Sequence, residues 1–296
     1  MTSSGSSHPP SAEALGQRPV GIVGLGLIGG SLGLDLQARG LEVRALVHRS
    51  STAERARQRQ LAQQIDTDPQ VLQGCGLIVL ALPLDRLLDP PQALREALPT
   101  DAVITDVGSV KQPVLERWQG WHPRFVASHP MAGTAEAGVE AGISGLFAGR
   151  PWVATPDAHT DTDALALVEQ LAALVKAQWL QCPAAAHDQA VALISHMPVL
   201  VSAALLEAAD QGGEAASAAA LVRQLASSGF ADTSRIGGGN PELGTLMARC
   251  NRNAVLSALG HYRQQLEQLE ALVQQEQWSE LEQRLTGCQQ LRPDFL

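Results

Sequence analysis

The feature that most constrains this chain is Val20-Gly21-Ile22-Val23-Gly24-Leu25-Gly26-Leu27-Ile28-Gly29, a β-type run passing directly into a G-x-G-x-x-G spacing. Gly24 allows a tight turn, Gly26 lets the backbone approach a pyrophosphate, and Gly29 permits close packing of helix on strand. A helix starting there offers free N–H groups and the positive end of its dipole to phosphate. Leu25, Leu27 and Ile28, between the glycines, belong to the same expected dinucleotide contact.

The residues after the next strand bear on which dinucleotide is held. A site for NAD usually has Asp or Glu about 20 residues beyond the glycines, bonding the ribose hydroxyls. Here the segment reads Val47-His48-Arg49-Ser50-Ser51-Thr52, with no acid before Glu54. Arg49 attracts a 2′-phosphate, and His48, Ser50 and Thr52 add polar contacts, so NADP is the expected cofactor. The bland alternative is that Arg49 is a solvated loop charge.

Short β-type runs alternate with helical stretches up to Cys182. The predicted strands are Pro19–Val23, Val43–Val47, Leu77–Ala81, Val103–Asp106, Phe125–Ser128, Trp152–Ala154 and Ala177–Leu180, with helices at Ser51–Gln63, Pro91–Ala97 and Asp161–Lys176. Continuous apolar strands between helices indicate a parallel sheet covered on both faces. Beyond Cys182 the strand pattern stops. Pro183–Asp210 reads as one apolar helix kinked around Pro198, Glu214–Ser227 as a second, and Ile236–Pro241 as a glycine-rich loop. A final helix from Glu242 to Gln275 would be about 50 Å long. Its stripe of Leu259, Tyr262, Leu266, Leu269 and Val273 suits either a partner helix or a core. The expected fold class is therefore α/β: a Rossmann-type doubly wound N-terminal domain (19–182) with an all-helical C-terminal dimerisation domain (183–296), preceded by a disordered tail (1–18).

Composition narrows the partners. The net charge is −9, so no positive surface is available to displace counterions from a nucleic acid. Cys75, Cys182, Cys250 and Cys288 are far apart and form no C-x-x-C pair, so neither zinc nor a disulfide framework is expected. His187 and His196, nine positions apart on one helix, are expected on opposite faces, which also argues against a metal. The segment before Pro19 is rich in Ser, Pro and Gly, and no apolar run approaches membrane-spanning length. A cytoplasmic protein with no membrane partner is the expectation.

Three strand ends carry unusual chemistry: Leu80-Ala81-Leu82-Pro83, Thr105-Asp106-Val107-Gly108-Ser109-Val110-Lys111, and Ser128-His129-Pro130-Met131-Ala132-Gly133-Thr134. Leu82 and Pro83 are placed beside the cofactor by this reading. The pairing of D-V-G-S-V-K with S-H-P-M-A-G-T resembles the prephenate/arogenate dehydrogenase family. So do His187-Asp188-Gln189, Ile194-Ser195-His196-Met197-Pro198 and Asp232-Thr233-Ser234-Arg235 followed by Gly237-Gly238-Gly239-Asn240-Pro241. The resemblance runs from about Pro19 to Gln277.

It implies that His129 is the catalytic base, that Ser109 orients it, and that Arg235 binds the substrate's side-chain carboxylate. Thr134 would help position the substrate, while His196 either contacts substrate or is a satisfied core histidine. The chemistry implied is removal of a hydroxyl proton and a hydride from the same ring carbon, followed by loss of CO2 and rearomatisation. A neutral imidazole suits the first task.

In the family, a second histidine often follows three residues after the first, in S-H-x-P-H; here that place is Val199. Together with the NADP-type loop, this favours arogenate as substrate over prephenate, whose product would be 4-hydroxyphenylpyruvate. A β-hydroxyacid dehydrogenase would place a lysine in the first helix of the second domain, and Pro183–Asp210 has none. A pyrroline-carboxylate reductase has no use for the His129 motif. A non-catalytic NADP sensor would leave His129, Ser109 and Arg235 unexplained.

Overall fold

The computed structural model describes residues 13–134, 136–212 and 216–295. Glu13–Gly16 is a single helical turn, α1, ahead of β1 (Val20–Val23). Residues 13–18, expected as part of the tail, are therefore structured. Leu15 is buried, and Arg18 pairs with Asp101 at 2.8 Å while donating to the carbonyls of Gly74 and Cys75. Residues 1–12 lie outside the described ones.

The chain continues through α2 (Leu27–Gln37), β2 (Val43–Leu46), α3 (Ser50–Gln58) and β3 (Gln64–Asp66). It then crosses over β1 to β4 (Leu77–Leu80), α4 (Leu84–Leu88), α5 (Gln92–Ala97), β5 (Val103–Asp106), α6 (Gln112–Gln119) and β6 (Phe125–Val126). These six strands form one parallel sheet in the order β3-β2-β1-β4-β5-β6. Strands β1, β4 and β5 are buried at every position, because helices cover both faces. Alternate residues serve opposite layers: Leu77 and Val79 pack into one core, Ile78 and Leu80 into the other. The strand order reverses between β1 and β4, which opens a crevice beyond their carboxyl ends.

Three local differences from the expected elements have clear causes. β3 has only Ile65 buried, so it carries no apolar run to read. Helix α3 stops at Gln58 and not Gln63: Gln60 adopts φ 54°, with Leu61 N bonded to Ala56 O and Gln60 N to Arg57 O. That is a Schellman ending on a non-glycine residue. The strand expected over Phe125–Ser128 divides after Val126, and β7 (Ser128–Pro130) joins a second sheet. There β7 runs antiparallel to β8 (Pro151–Ala154), which pairs in parallel with β9 (Gln178–Gln181) after helix α7 (Thr162–Leu174). Ser128 makes the turn-off point: its N–H donates to Asp106 Oδ1 at 3.1 Å, and its hydroxyl to Asp106 O at 2.9 Å.

The second half is helical. α8 (Ala184–Val191) passes through a π turn, Ala192–His196, into α9 (Met197–Gln211). The kink expected at Pro198 takes this form: proline lacks an N–H and crowds the carbonyl four residues back, and the widened turn relieves both. By length and composition, Ala184–Gln211 is long and apolar enough to cross a membrane, contrary to the expectation that no such run exists. It nevertheless carries buried His187, Asp188, His196 and Ser202.

α10 (Ala216–Leu225) and α11 (Ser228–Ser234) follow; the start expected at Glu214 lies outside the described residues. The long final helix is two, α12 (Pro241–Cys250) and α13 (Arg252–Gln274), broken at Asn251 with φ −117° and ψ 33°. A further helix, α14 (Trp278–Leu291), packs back on α13 through Arg284, bonded to Gln268 at 2.7 Å. Tyr262, Leu266 and Val273 of the stripe remain exposed, with Leu256 and Trp278 nearby in sequence.

Candidate active site

The glycine turn has the shape that the motif requires. Gly24 has φ 94°, and a Cβ there would lie 2.3 Å from the carbonyl oxygen of Ala81. A Cβ on Gly29 would fall 1.9 Å from Gly24 O, so any side chain would lift α2 off the turn. A Cβ on Gly26 would meet nothing within 4 Å. As the N-cap of α2 it gives no side-chain hydrogen bond, which leaves the first N–H groups of the helix, including those of Leu27 and Ile28, available to a phosphate. Leu25 is buried beneath the turn, and Leu82 and Pro83 follow the neighbouring strand β4. These residues fit a dinucleotide.

At the end of β2, His48, Arg49 and Ser50 are exposed, Thr52 partly so, and Arg49 is the N-cap of α3. Arg49 has no ion pair among the described residues. No acidic residue occurs from Val47 to Ala53, the segment that leaves this strand end.

His129 lies on β7, opposite Val153 of β8. Its Nδ1 is 2.9 Å from Nε2 of His187 on α8, and His187 Nδ1 is 2.8 Å from Asp188 Oδ1. Asp188 Oδ1 also accepts from Lys111 N at 2.7 Å, and Oδ2 from Gln112 N at 2.9 Å. The carboxylate therefore caps α6 from the other half of the chain. Burial first, then electrostatic repulsion from the direction of His187, Lys111 and His196, holds His129 well below the ordinary imidazole value. Such a ring is unprotonated at neutral pH and can accept a proton.

Ser109 was expected to orient His129; in the structure it is His187 whose ring lies within hydrogen-bond distance of His129 Nδ1. Ser109 Oγ is buried and has no hydrogen-bond partner among the described residues. The role of His187 was not legible, although the His187-Asp188 pair stood out as a motif. The expectation that His187 and His196 occupy opposite faces is also overturned. Nine residues at about 100° each leave a net rotation of roughly 180°. The π turn takes in one extra residue, so the net falls to roughly 80°.

His196 is 2 % exposed, and burial lowers its pKa to about 4, with Asp188 opposing and His187 adding to the shift. Asn251 Nδ2 donates to Asp188 O at 2.7 Å, which fixes the amide's orientation, and lies 3.3 Å from His196 Nδ1. His196 Nδ1 is thus the acceptor and Nε2 carries the proton. That Nε2 has no partner among the described residues. Two buried polar atoms without partners, on Ser109 and His196, are groups that a polar ligand can satisfy.

Beneath the site, Lys111 Nζ bonds Asp106 Oδ2 and, at 2.8 Å, Ser128 O. Both side chains are fully buried; burial lowers the ammonium's pKa and raises the carboxyl's, each opposed by the other's charge. This pair holds the end of β5 against the start of β7, and hence His129. Thr134 is exposed, its hydroxyl accepting from Glu136 N at 3.2 Å, and among the described residues it makes no hydrogen bond to the histidines.

Arg235 follows α11, exposed, with no ion pair among the described residues and none to Asp232. Ser202 of α9 anchors its loop, donating to Thr233 O at 2.9 Å and accepting from Gly237 N at 2.8 Å. A Cβ on Gly237 would lie 2.4 Å from Ala203 N, so this approach needs glycine. No group of three or more His, Cys, Asp or Glu able to hold a metal occurs among the described residues.

Residues 32–181 match the family described as "Prephenate dehydrogenase, nucleotide-binding domain", and residues 183–287 match "Prephenate dehydrogenase, dimerization domain". The cyclohexadienyl dehydrogenase of Zymomonas mobilis is 31% identical over 259 residues, covering 86% of this chain and 88% of the relative. Synechocystis arogenate dehydrogenase has a similar structure, with TM-score 0.80 and 41% identity over 94% of this chain and 100% of that one. The prephenate dehydrogenase of A. aeolicus, solved with hydroxyphenyl propionate and NAD+, gives TM-score 0.87 at 25% identity over 95% and 99% of the two chains. With its parallel dinucleotide-binding sheet, its helical dimerization domain and a neutral histidine at their junction, the chain belongs to the prephenate dehydrogenase family, as an oxidoreductase that uses a nicotinamide cofactor.

Proposed function

We propose that this protein oxidatively decarboxylates arogenate to tyrosine with NADP as cofactor. The observation that carries the chemistry is His129: a partly buried imidazole kept unprotonated, with its Nδ1 engaged by His187 and its Nε2 left to accept a proton. When bound, the oxidised nicotinamide supplies a hydride acceptor. His129 Nε2 takes the proton of the ring hydroxyl as the hydride leaves the same carbon. The electrons of the breaking C–CO2 bond then fill the ring, and the phenol oxygen recovers its proton. Ser109 Oγ and the His196 Nε2–H bond polar groups of the substrate, and Arg235 offers a cation to a carboxylate. Thr134 helps position the same substrate from its exposed loop.

Exposed Arg49 after β2, with no carboxylate beside it, supports NADP over NAD. Val199, where a second histidine is common in the family, supports arogenate over prephenate, as does the 41% identity to a protein named arogenate dehydrogenase. The exposed apolar residues of α13 support a homodimer through the C-terminal helices. Free cysteines support a reducing, cytoplasmic setting.

The test is the initial rate of nicotinamide reduction, with arogenate and prephenate each paired with NADP and NAD. Preference for arogenate with NADP is the expected result. Preference for prephenate would retain the mechanism and overturn the specificity. Absence of turnover with every pair would overturn the reaction itself.

A further inference from the structure

His129 belongs to the sheet half of the molecule, whereas the group that engages its Nδ1 comes from the helical half. The direction of each hydrogen bond between them can be worked out from the fixed end. Asp188 Oδ1 and Oδ2 receive the backbone N–H groups of Lys111 and Gln112, at 2.7 and 2.9 Å. A backbone N–H can only donate, so both carboxylate oxygens are acceptors. Their position at the N-terminus of α6 favours the negative charge as well. At 2.8 Å from Oδ1, His187 Nδ1 must then be a donor.

A neutral imidazole that donates from Nδ1 carries its lone pair on Nε2. His129 Nδ1, 2.9 Å from that lone pair, is in turn a donor. The lone pair of His129 is left on Nε2. With both rings neutral, the opposite direction would put two donors or two acceptors against each other along a line whose His187–Asp188 end is buried.

We infer that His187 and Asp188 are positioning residues that lock His129 in its Nδ1–H tautomer, so that Nε2 is the atom that takes the substrate's proton. The inference rests on the reading of His129 as base. It moves the orienting role away from Ser109, whose hydroxyl makes no bond to another residue described, and leaves that hydroxyl to the ligand. It also makes the base an interdomain construction. Asp188 is held by the N–H groups of the first half through its side chain, and by Asn251 through its backbone carbonyl at 2.7 Å. Docking of the two halves and selection of the tautomer are therefore one event.

The experiment is long-range 1H–15N correlation on the full-length, 15N-histidine-labelled protein at pH 8 without ligands, with His129 assigned by its loss in His129→Asn. The expected spectrum shows His129 protonated at Nδ1 and unprotonated at Nε2. Protonation at Nε2 would overturn the inference, and this arm needs no folded His187 variant. In His187→Ala the His129 resonances should move to the Nε2–H form; in His187→Gln, whose amide oxygen still accepts from Nδ1–H, they should stay. An unchanged tautomer in His187→Ala would also overturn it. On the activity side, kcat should fall about 100-fold in His187→Ala with the substrate KM within a factor of two, and most of the loss should be recovered in His187→Gln. A wild-type protein that turns over no cyclohexadienyl substrate would refute the dehydrogenase reading, while the tautomer result would still stand or fall by its own spectrum.

Discussion

The side-chain amide of Asn251 donates to the backbone carbonyl of Asp188, 63 positions earlier in the chain, at 2.7 Å, and the same nitrogen is 3.3 Å from His196 Nδ1. A helix break at Asn251 makes this possible, since a continuous helix would turn the side chain elsewhere. Asn251→Leu would leave a buried carbonyl and an imidazole nitrogen unpaired. Each orphaned group costs about 1–3 kcal/mol, so urea denaturation should show a loss in that range or above it. A variant as stable as the wild type would mean that water replaces the amide.

His129→Asn should lower kcat by about 100- to 10,000-fold, the usual worth of a positioned general base. The dissociation constant for the cofactor should change little, because the glycine turn is untouched. Burial, reinforced by its electrostatic surroundings, keeps the His129 pKa below 6.5. In the wild type, kcat/KM should accordingly stay level from pH 8 to pH 6.5 and fall only in more acid solution. A fall centred above pH 7 would assign the base elsewhere.

For Arg235→Ala the expected change is a substrate KM raised about 10- to 100-fold, corresponding to one lost hydrogen bond to a charged group. The loop itself should hold, since Ser202 anchors it through Thr233 and Gly237 and not through the arginine. Steady-state kinetics with an unaltered KM would return Arg235 to the solvent.

Arg49→Ala should raise the KM for NADP about 10-fold or more and hardly affect NAD. Equal effects on the two dinucleotides would show that Arg49 does not read the 2′-phosphate.

Stability should decline with acid earlier than the carboxylates alone would dictate. His122, His129 and His196 all have pKa values lowered by burial, His196 to about 4. On unfolding, each regains an affinity for protons near the free value of 6.5, so between the two values the unfolded chain binds more protons. The associated stability is present above pH 6.5 and is lost as pH falls towards 4. For His196 alone the difference is about 3 kcal/mol. Urea midpoints measured from pH 7.5 to 4.5 should fall steadily, and a flat profile would contradict the burial of these rings.

The parts of the fold that depend on local pattern were legible in the sequence. Strands β1, β2, β4 and β5 are short, largely apolar runs, and the glycine spacing announces its own turn. The parts that depend on distant contacts were not. β3 contributes one buried side chain, and Ser128 leaves the first sheet because Asp106 and Thr105 bind it from another strand. Asn251 breaks a helix that has no glycine or proline there, its partner being a carbonyl far back in the chain. Within the site, His129 could be found from its neighbours, whereas His187 could not be given its role. Ideal helical arithmetic sets His187 and His196 apart, and only the widened turn between them brings both towards His129.

That turn gives the protein a vulnerability that no map of its ligand contacts would disclose. One surplus residue in Ala192–His196 sets the angular phase between everything before it and everything after it. If the segment closed into regular α-helix with every residue kept, its backbone geometry would improve. The rest of α9, with Ser202 and the loop it anchors, would then swing by about 100° relative to His187. The catalytic residues would all remain in the chain, chemically intact, and would no longer face one another. Function here depends on an imperfection, and repairing it would be a loss.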